Sequence, residues 1–78
     1  MNRRNDLGDS VRRAIDRYFR DLDGESPCAI YEMVVSSVER SMLETVMRHA
    51  SGNQTVAADM LGINRNTLRR KLGEYDLL

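Results

Sequence analysis

Between Ile30 and Ala50 apolar residues recur too densely for one helical stripe: Ile30, Tyr31, Met33, Val34, Val35, Val38, Met42, Leu43, Val46, Met47 and Ala50. Ile30, Val34, Val38, Met42 and Val46 form one row, while Tyr31, Val35, Met42 and Leu43 start another around the cylinder. A helix with so wide an apolar surface must be covered on more than one side. The chain has 78 residues, and a domain this small buries only about 60% of the surface its unfolded chain exposes. Small domains recover stability from disulfides, a structural metal or a partner chain. Cys28 is the only cysteine, which excludes an internal disulfide, and Cys28 with His49 is too few ligands for structural zinc. What remains is a second copy, so the pattern predicts a homodimer in which two protomers cover each other's apolar rows.

The rest of the chain supplies the other helices. Met1 to Asp6 are polar and lack periodicity, and are expected to form a disordered lead. Leu7, Val11, Ala14, Ile15, Tyr18, Phe19 and Leu22 recur on one face and predict a first helix over about Ser10 to Leu22, with Asp9 or Ser10 as its cap and Asp23-Gly24 as its stop. Ser26-Pro27 is a second start signal, a hydroxyl acceptor followed by a residue with no amide to leave unpaired, so the second helix is expected to run from there to about Ser51. Cys28 then falls in its first turn, and Gly52-Asn53 ends it. No strand-like alternation competes, and the fold class is all-α with four helices per protomer. The expected organisation is one domain: a lead over 1–6, dimerisation helices over 7–51 and a helix-turn-helix over 52–78.

That last segment carries the function. Gln54 to Leu72 reads QTVAADMLGINRNTLRRKL. Two helices crossing steeply over a short turn need a small residue at the crossing, here Ala57 or Ala58. Gly62 can take the left-handed conformation that reverses the chain, and Leu61, Ile63, Leu68 and Leu72 are expected to seal the pair. Asn64 caps the second helix, which leaves Arg65, Asn66, Arg69, Arg70 and Thr67 on its N-terminal and outward surface, the part that meets base edges in a major groove. Arginine bonds guanine bidentately and asparagine bonds adenine, and both also bond phosphate. Asn53 and Thr55 stand where a helix N-terminus can hold a phosphate. Net charge is zero, with 12 basic and 12 acidic residues, yet Arg65, Arg69, Arg70 and Lys71 fall within seven positions. That local density is what a phosphate backbone feels.

GNQTVAADMLGINRNTLRRKLGEYDLL resembles the C-terminal segment of the Fis family of bacterial nucleoid-associated, DNA-bending proteins, and DSVRRAIDRYF and IYEMVVSSVE resemble its first two helices. The likeness covers nearly the whole chain from about Leu7. It implies an intertwined homodimeric bundle on double-stranded DNA, with recognition helices closer together than one DNA turn, so that binding bends the duplex. By the family pattern Asn64 and Arg65 touch bases, while Asn53, Thr55, Thr67, Arg69, Arg70 and Lys71 hold the backbone. Three departures stand out. The residues before Leu7 are too few for the β-hairpin arm with which well-known members activate DNA inversion. Ser51, Val56, Gly73 and Glu74 stand where more basic residues are usual, which predicts weaker contacts to flanking DNA. Ser41 replaces a mid-helix proline of some members, which predicts a straighter second helix.

Other functions find little support. One histidine, one cysteine and no paired groups in a recognisable motif supply neither a nucleophile–base pair nor a metal-bound water, so no enzyme, small-molecule substrate or cofactor is expected. The methionines after Met1 suit core filling, and Tyr18, Phe19 and Tyr31 suit helical stripes, not stacking on bases. A free cysteine, no signal peptide and no long apolar span predict a cytoplasmic protein of the nucleoid, not a membrane protein. Two alternatives compete: a detached terminal helix-turn-helix of an NtrC-type transcriptional activator, and a helical dimerisation module without DNA. The second would have no need for Asn64 and Arg65 beside a well-formed turn.

Overall fold

The computed structural model describes residues 3–78, and among these there are four helices and no strand: α1 (Arg3–Asp21), α2 (Ile30–His49), α3 (Gln54–Leu61) and α4 (Arg65–Glu74). The chain divides into two compact units, Met1–Val34 and Val35–Leu78.

In the first unit α1 begins at Arg3, well before Ser10. Arg3 to Asp6, expected in the lead, are therefore helical, while Met1 and Asn2 lie outside the described residues. The side chains expected to cap are used inside the helix instead. Ser10 Oγ donates to the Asp6 carbonyl at 3.1 Å, one turn back, and Asp9 pairs with Arg12. The stop falls where expected: Asp23 and Gly24 are left-handed, at φ 51° and 87°.

The start of α2 is later than Ser26-Pro27 predicts. Cys28 N donates to Tyr18 Oη at 3.3 Å and Tyr18 Oη donates to the Cys28 carbonyl at 3.4 Å, so the segment is held outside a helix. Ala29 is left-handed at φ 53°, which a continuing α-helix forbids, and its carbonyl accepts the first helical bond, from Met33 N at 3.0 Å. Cys28 is thus an exposed residue ahead of α2, not part of its first turn. α2 runs unbroken through Ser41.

The second unit holds the core. Leu43 of α2, Ala57 and Ala58 of α3, and Leu68 and Leu72 of α4 are buried, with Ala50 between α2 and α3; Val46, Met47, Leu61, Tyr75 and Leu77 pack around them. Leu43, Leu68 and Leu72 are fully enclosed. α2 ends with Ser51 left-handed at φ 54° and donating to the Arg48 carbonyl at 3.1 Å, while Gly52, at φ 80°, donates to the Met47 carbonyl at 2.9 Å, the six-to-one bond that closes a helix C-terminus. α4 closes similarly, with Leu77 N donating to the Leu72 carbonyl at 2.8 Å.

Much apolar surface stays uncovered in the single chain. On α2, Tyr31 is 81% exposed, and Val35, Val38 and Met42 are each about two-fifths exposed. Leu7 and Phe19 of α1 are exposed as well. Of the two apolar rows, only Leu43 reaches the core completely.

Candidate nucleic-acid interface

α3 and α4 pack against each other through a three-residue turn, and each of its positions has a physical reason. Asn53, extended at φ −84° and ψ 110°, accepts a bond from Val56 N on its side-chain oxygen at 3.1 Å and so caps α3. Gly62 is left-handed at φ 74° and donates to the Ala58 and Asp59 carbonyls at 2.9 and 3.2 Å. Asn64 returns to extended backbone, φ −68° and ψ 142°, and caps α4 by accepting from Asn66 N at 2.7 Å. Both alanines at the crossing are buried, and Leu68 and Leu72 seal the pair from the α4 side. Ile63 differs from expectation: it lies 36% exposed in the turn instead of closing the core.

Turning about 100° per residue, burial of Leu68 and Leu72 fixes what α4 shows to solvent. Arg65, Asn66, Arg69 and Arg70 are exposed, and Thr67 is half-buried on the flank. Among the described residues the guanidinium groups of Arg65 and Arg69 make no hydrogen bond or ion pair. Two uncompensated cations one turn apart on one face suit a polyanion. Arg70 Nη1 lies 3.0 Å from Glu74 Oε1, in a pair exposed enough to exchange readily for another anion. Thr55 is exposed in the first turn of α3.

Besides Asn53, whose side-chain oxygen caps α3, two of the expected DNA ligands have work within the chain. The Asn64 side-chain oxygen is engaged by the cap, while its amide nitrogen, on an exposed residue, has no hydrogen-bond partner among the described residues. Lys71 sits on the flank of α4 that meets α2, where its Nζ donates to Glu39 Oε2 at 2.9 Å with both side chains largely covered. Tyr75 Oη donates to the other carboxylate oxygen, Glu39 Oε1, at 2.7 Å. Next along α2, Arg40 Nη2 donates to the Tyr75 carbonyl at 2.9 Å and its guanidinium lies 5.5 Å from the centre of the Tyr75 ring. The bond from Lys71, then that from Tyr75, holds the Glu39 carboxyl below the ordinary carboxylate range. The same carboxylate raises both Lys71 and Tyr75 above their usual values.

Glu39, Arg40 and Tyr75 were not among the residues that the sequence pattern singled out. A signal existed for Glu39, which stands four and seven residues before Leu43 and Val46, on the row that enters the core. Among the described residues no group of acidic, histidine or cysteine side chains is arranged to hold a metal, and no helix is long and apolar enough to cross a membrane.

Comparison with known proteins agrees with this geometry. The family model described as "Bacterial regulatory protein, Fis family" matches residues 34–75, from α2 to the end of α4. A "Putative Fis-like DNA-binding protein" of Ralstonia nicotianae is 56% identical over 75 residues, covering 96% of this chain and 97% of that relative. "DNA-binding protein Fis" of Glaesserella parasuis is 52% identical over 71 residues, 91% of this chain and 72% of the relative. A "Putative Fis-like DNA-binding protein" of Pseudomonas aeruginosa is 53% identical over 72 residues, 92% and 69% of the two chains. A helix-turn-helix with this capping pattern, matched by relatives along almost its whole length, places the chain in the bacterial Fis family of regulatory proteins, to which it belongs.

Proposed function

We propose that this protein binds double-stranded DNA as a homodimer, with α4 of each protomer in a major groove, and that it acts as a cytoplasmic, nucleoid-associated regulator of transcription that bends the duplex. The observation that carries the reading is the outward arc of α4. Arg65, Asn66, Arg69 and Arg70 are exposed on a helix whose N-terminus projects from a capped, glycine-reversed turn. Arg65, at that N-terminus, reads a base edge, and Arg69 and Arg70 neutralise phosphates. Thr67 on the flank, with Asn53 and Thr55 at the start of α3, meets the backbone. The amide nitrogen of Asn64 donates to a base or phosphate while its oxygen keeps the cap. The names of the relatives support DNA as the partner, and nothing in the arrangement suggests catalysis or a cofactor.

Homodimerisation is supported by the uncovered rows on α2 and α1. Val35, Val38 and Met42 repeat at helical spacing on a surface that the single chain leaves open. Two copies of that surface supply the second covering that the pattern demands. Bending follows if the two recognition helices lie closer together than successive major grooves on straight DNA. Docking both then requires curvature, which for a 20–30 base-pair site costs roughly 1–6 kcal/mol and less over a compressible A/T-rich centre.

One experiment tests these statements together: titrating end-labelled duplexes with A/T-rich or G/C-rich centres, reading affinity and end-to-end energy transfer, with the unaltered protein and Arg65→Ala. Binding should shorten the end-to-end distance and favour the A/T-rich centre. Arg65→Ala should lose about 1–3 kcal/mol on a preferred site and much less on random duplex. Equal losses on both would make Arg65 a phosphate contact, and binding without shortening would refute bending.

A further inference from the structure

We propose that Glu39, Arg40, Lys71 and Tyr75 form a latch that sets the direction of the recognition helix, with Lys71 serving DNA readout through Glu39 and not as a phosphate ligand. The proposal rests on the DNA-binding reading above and names residues that position its recognition surface.

Apolar packing is not directional, so Leu68 and Leu72 alone hold α4 against the core without fixing its roll or tilt. The latch adds direction. One carboxylate of α2 accepts from two donors four residues apart at the C-terminal end of α4, Lys71 Nζ in its last turn at 2.9 Å and the Oη of its C-cap residue Tyr75 at 2.7 Å. The adjacent Arg40 takes the carbonyl and the ring face of that same Tyr75. The contrast with Arg70–Glu74 is instructive. That pair joins two residues of one helix, is more than half exposed, and orients nothing beyond its own side chains. The Glu39–Lys71 pair joins residues 32 apart in sequence, with side chains only 21% and 27% exposed.

Leverage makes the latch matter for recognition. It grips α4 near its C-terminus, whereas Arg65 and Asn66 lie at the other end of a helix about 15 Å long. A tilt of about 10° at the gripped end moves Arg65 by about 2–3 Å, more than a bidentate base contact tolerates. Phosphate contacts from flexible arginines absorb such a shift better. Loosening the latch should therefore erode sequence preference before it erodes overall affinity. Because the carboxylate sits on α2, which also carries the open apolar rows, the latch ties the direction of α4 to the dimerisation helix.

The test compares Glu39→Gln, Tyr75→Phe, Lys71→Gln, Lys71→Glu alone, and the exchanged pair in which Glu39→Lys is combined with Lys71→Glu. Each is titrated across a salt series against a duplex selected by the unaltered protein from a random library and against a scrambled duplex. Amide hydrogen exchange along α4 is read without DNA. The latch predicts faster exchange in α4 for Glu39→Gln and Tyr75→Phe. It predicts a loss of about three- to tenfold on the selected duplex that exceeds the loss on the scrambled one. It predicts a salt slope nearly unchanged by Lys71→Gln, and recovery of preference in the exchanged pair relative to Lys71→Glu alone. Lys71 as a phosphate ligand predicts the reverse: equal losses on both duplexes, a slope flatter by about 1.8 for the two lysines of a dimer, tighter binding by Glu39→Gln, and no rescue. Those outcomes, or unchanged α4 exchange in Glu39→Gln, overturn the proposal. Failure of the unaltered protein to bind either duplex would instead overturn the DNA-binding reading, while exchange still decides the latch.

Discussion

Within residues 35–78, Leu43, Leu68 and Leu72 lose all contact with solvent, whereas within residues 3–34 no described side chain is buried and Tyr31 is 81% exposed. The two regions also start their helices differently. α3 and α4 begin on asparagine caps, and the left-handed Gly62 ends α3. In the first region α2 starts behind the left-handed Ala29, and left-handed residues with side chains occur in both regions, at Asp23 and Ala29 in the first and at Ser51 and Asp76 in the second. The recognition unit therefore satisfies its own packing and backbone bonding within one chain. The N-terminal region leaves its apolar side chains, Leu7, Phe19 and Tyr31 among them, open to solvent in the single chain.

The sharpest way to break that comparison is to remove one of the enclosed leucines. Leu68→Ala should destabilise by about 2–5 kcal/mol, because the fully packed site has little room to collapse. Chemical denaturation followed by circular dichroism measures it, and a loss below 1 kcal/mol would mean that the core of residues 35–78 is less self-sufficient than its burial implies.

An acid on the open face sharpens the other side. Val38 is 38% exposed in the single chain, so in a monomer Val38→Glu should be nearly neutral. In a dimer it buries an unpaired charge at a cost of about 3 kcal/mol. Sedimentation and the concentration dependence of the thermal midpoint decide: the unaltered protein should melt higher when more concentrated, and the variant should lose that dependence.

Removing the α4 cap has a smaller effect. Asn64→Ala should cost about 1 kcal/mol of stability, since Asn66 N loses its 2.7 Å acceptor. Asn64→Ser, which keeps a neutral acceptor and removes the amide nitrogen, should restore most of the stability in the same melts. Its weaker binding to duplex would show that the amide nitrogen has a role of its own.

The smallest expected effect is one of pH. The Glu39 carboxyl is held low by bonds from Lys71 and then Tyr75, with the Lys71 and Arg70 charges acting in the same direction. A carboxyl lowered on folding contributes its stability above the ordinary carboxylate range and loses it as pH falls through the lowered value. Carboxyl chemical shifts should therefore show Glu39 titrating below exposed glutamates. α4 exchange should quicken over that acid range, and less so in Glu39→Gln.

The comparison also explains which parts were legible in the sequence. In residues 52–78 the signals are local, with Asn53, Gly62 and Asn64 each completing bonds to amides or carbonyls two to four residues away. Element bounds and exposed arginines could thus be read from spacing. Around residues 3–30 the start signals misled for a local and a longer-range reason. Ser10 and Asp9 had partners inside the helix, and Tyr18 held Cys28 across ten residues of chain. Ile63 looked like core by hydropathy, but the turn that Gly62 makes points it outward.

Sequence by itself determined the all-helical class, the helix-turn-helix with its caps and crossing alanines, and the surplus of apolar surface on α2, because each follows from periodicity and from bonds within a turn or two. Spacing could not show which of the basic side chains Arg65, Arg69, Arg70 and Lys71, close together along the chain, would be tied to a partner inside the protein. Packing of α4 on α2 separated them: Arg65 and Arg69 were left without a counter-charge, Arg70 was given an exposed neighbour, and Lys71 was brought to a carboxylate 32 residues away. Only the tertiary fold decides such a pairing, because the Coulomb and hydrogen-bond energies that distinguish one lysine from its neighbours depend on distance in space and on exclusion of water, neither of which chain order specifies.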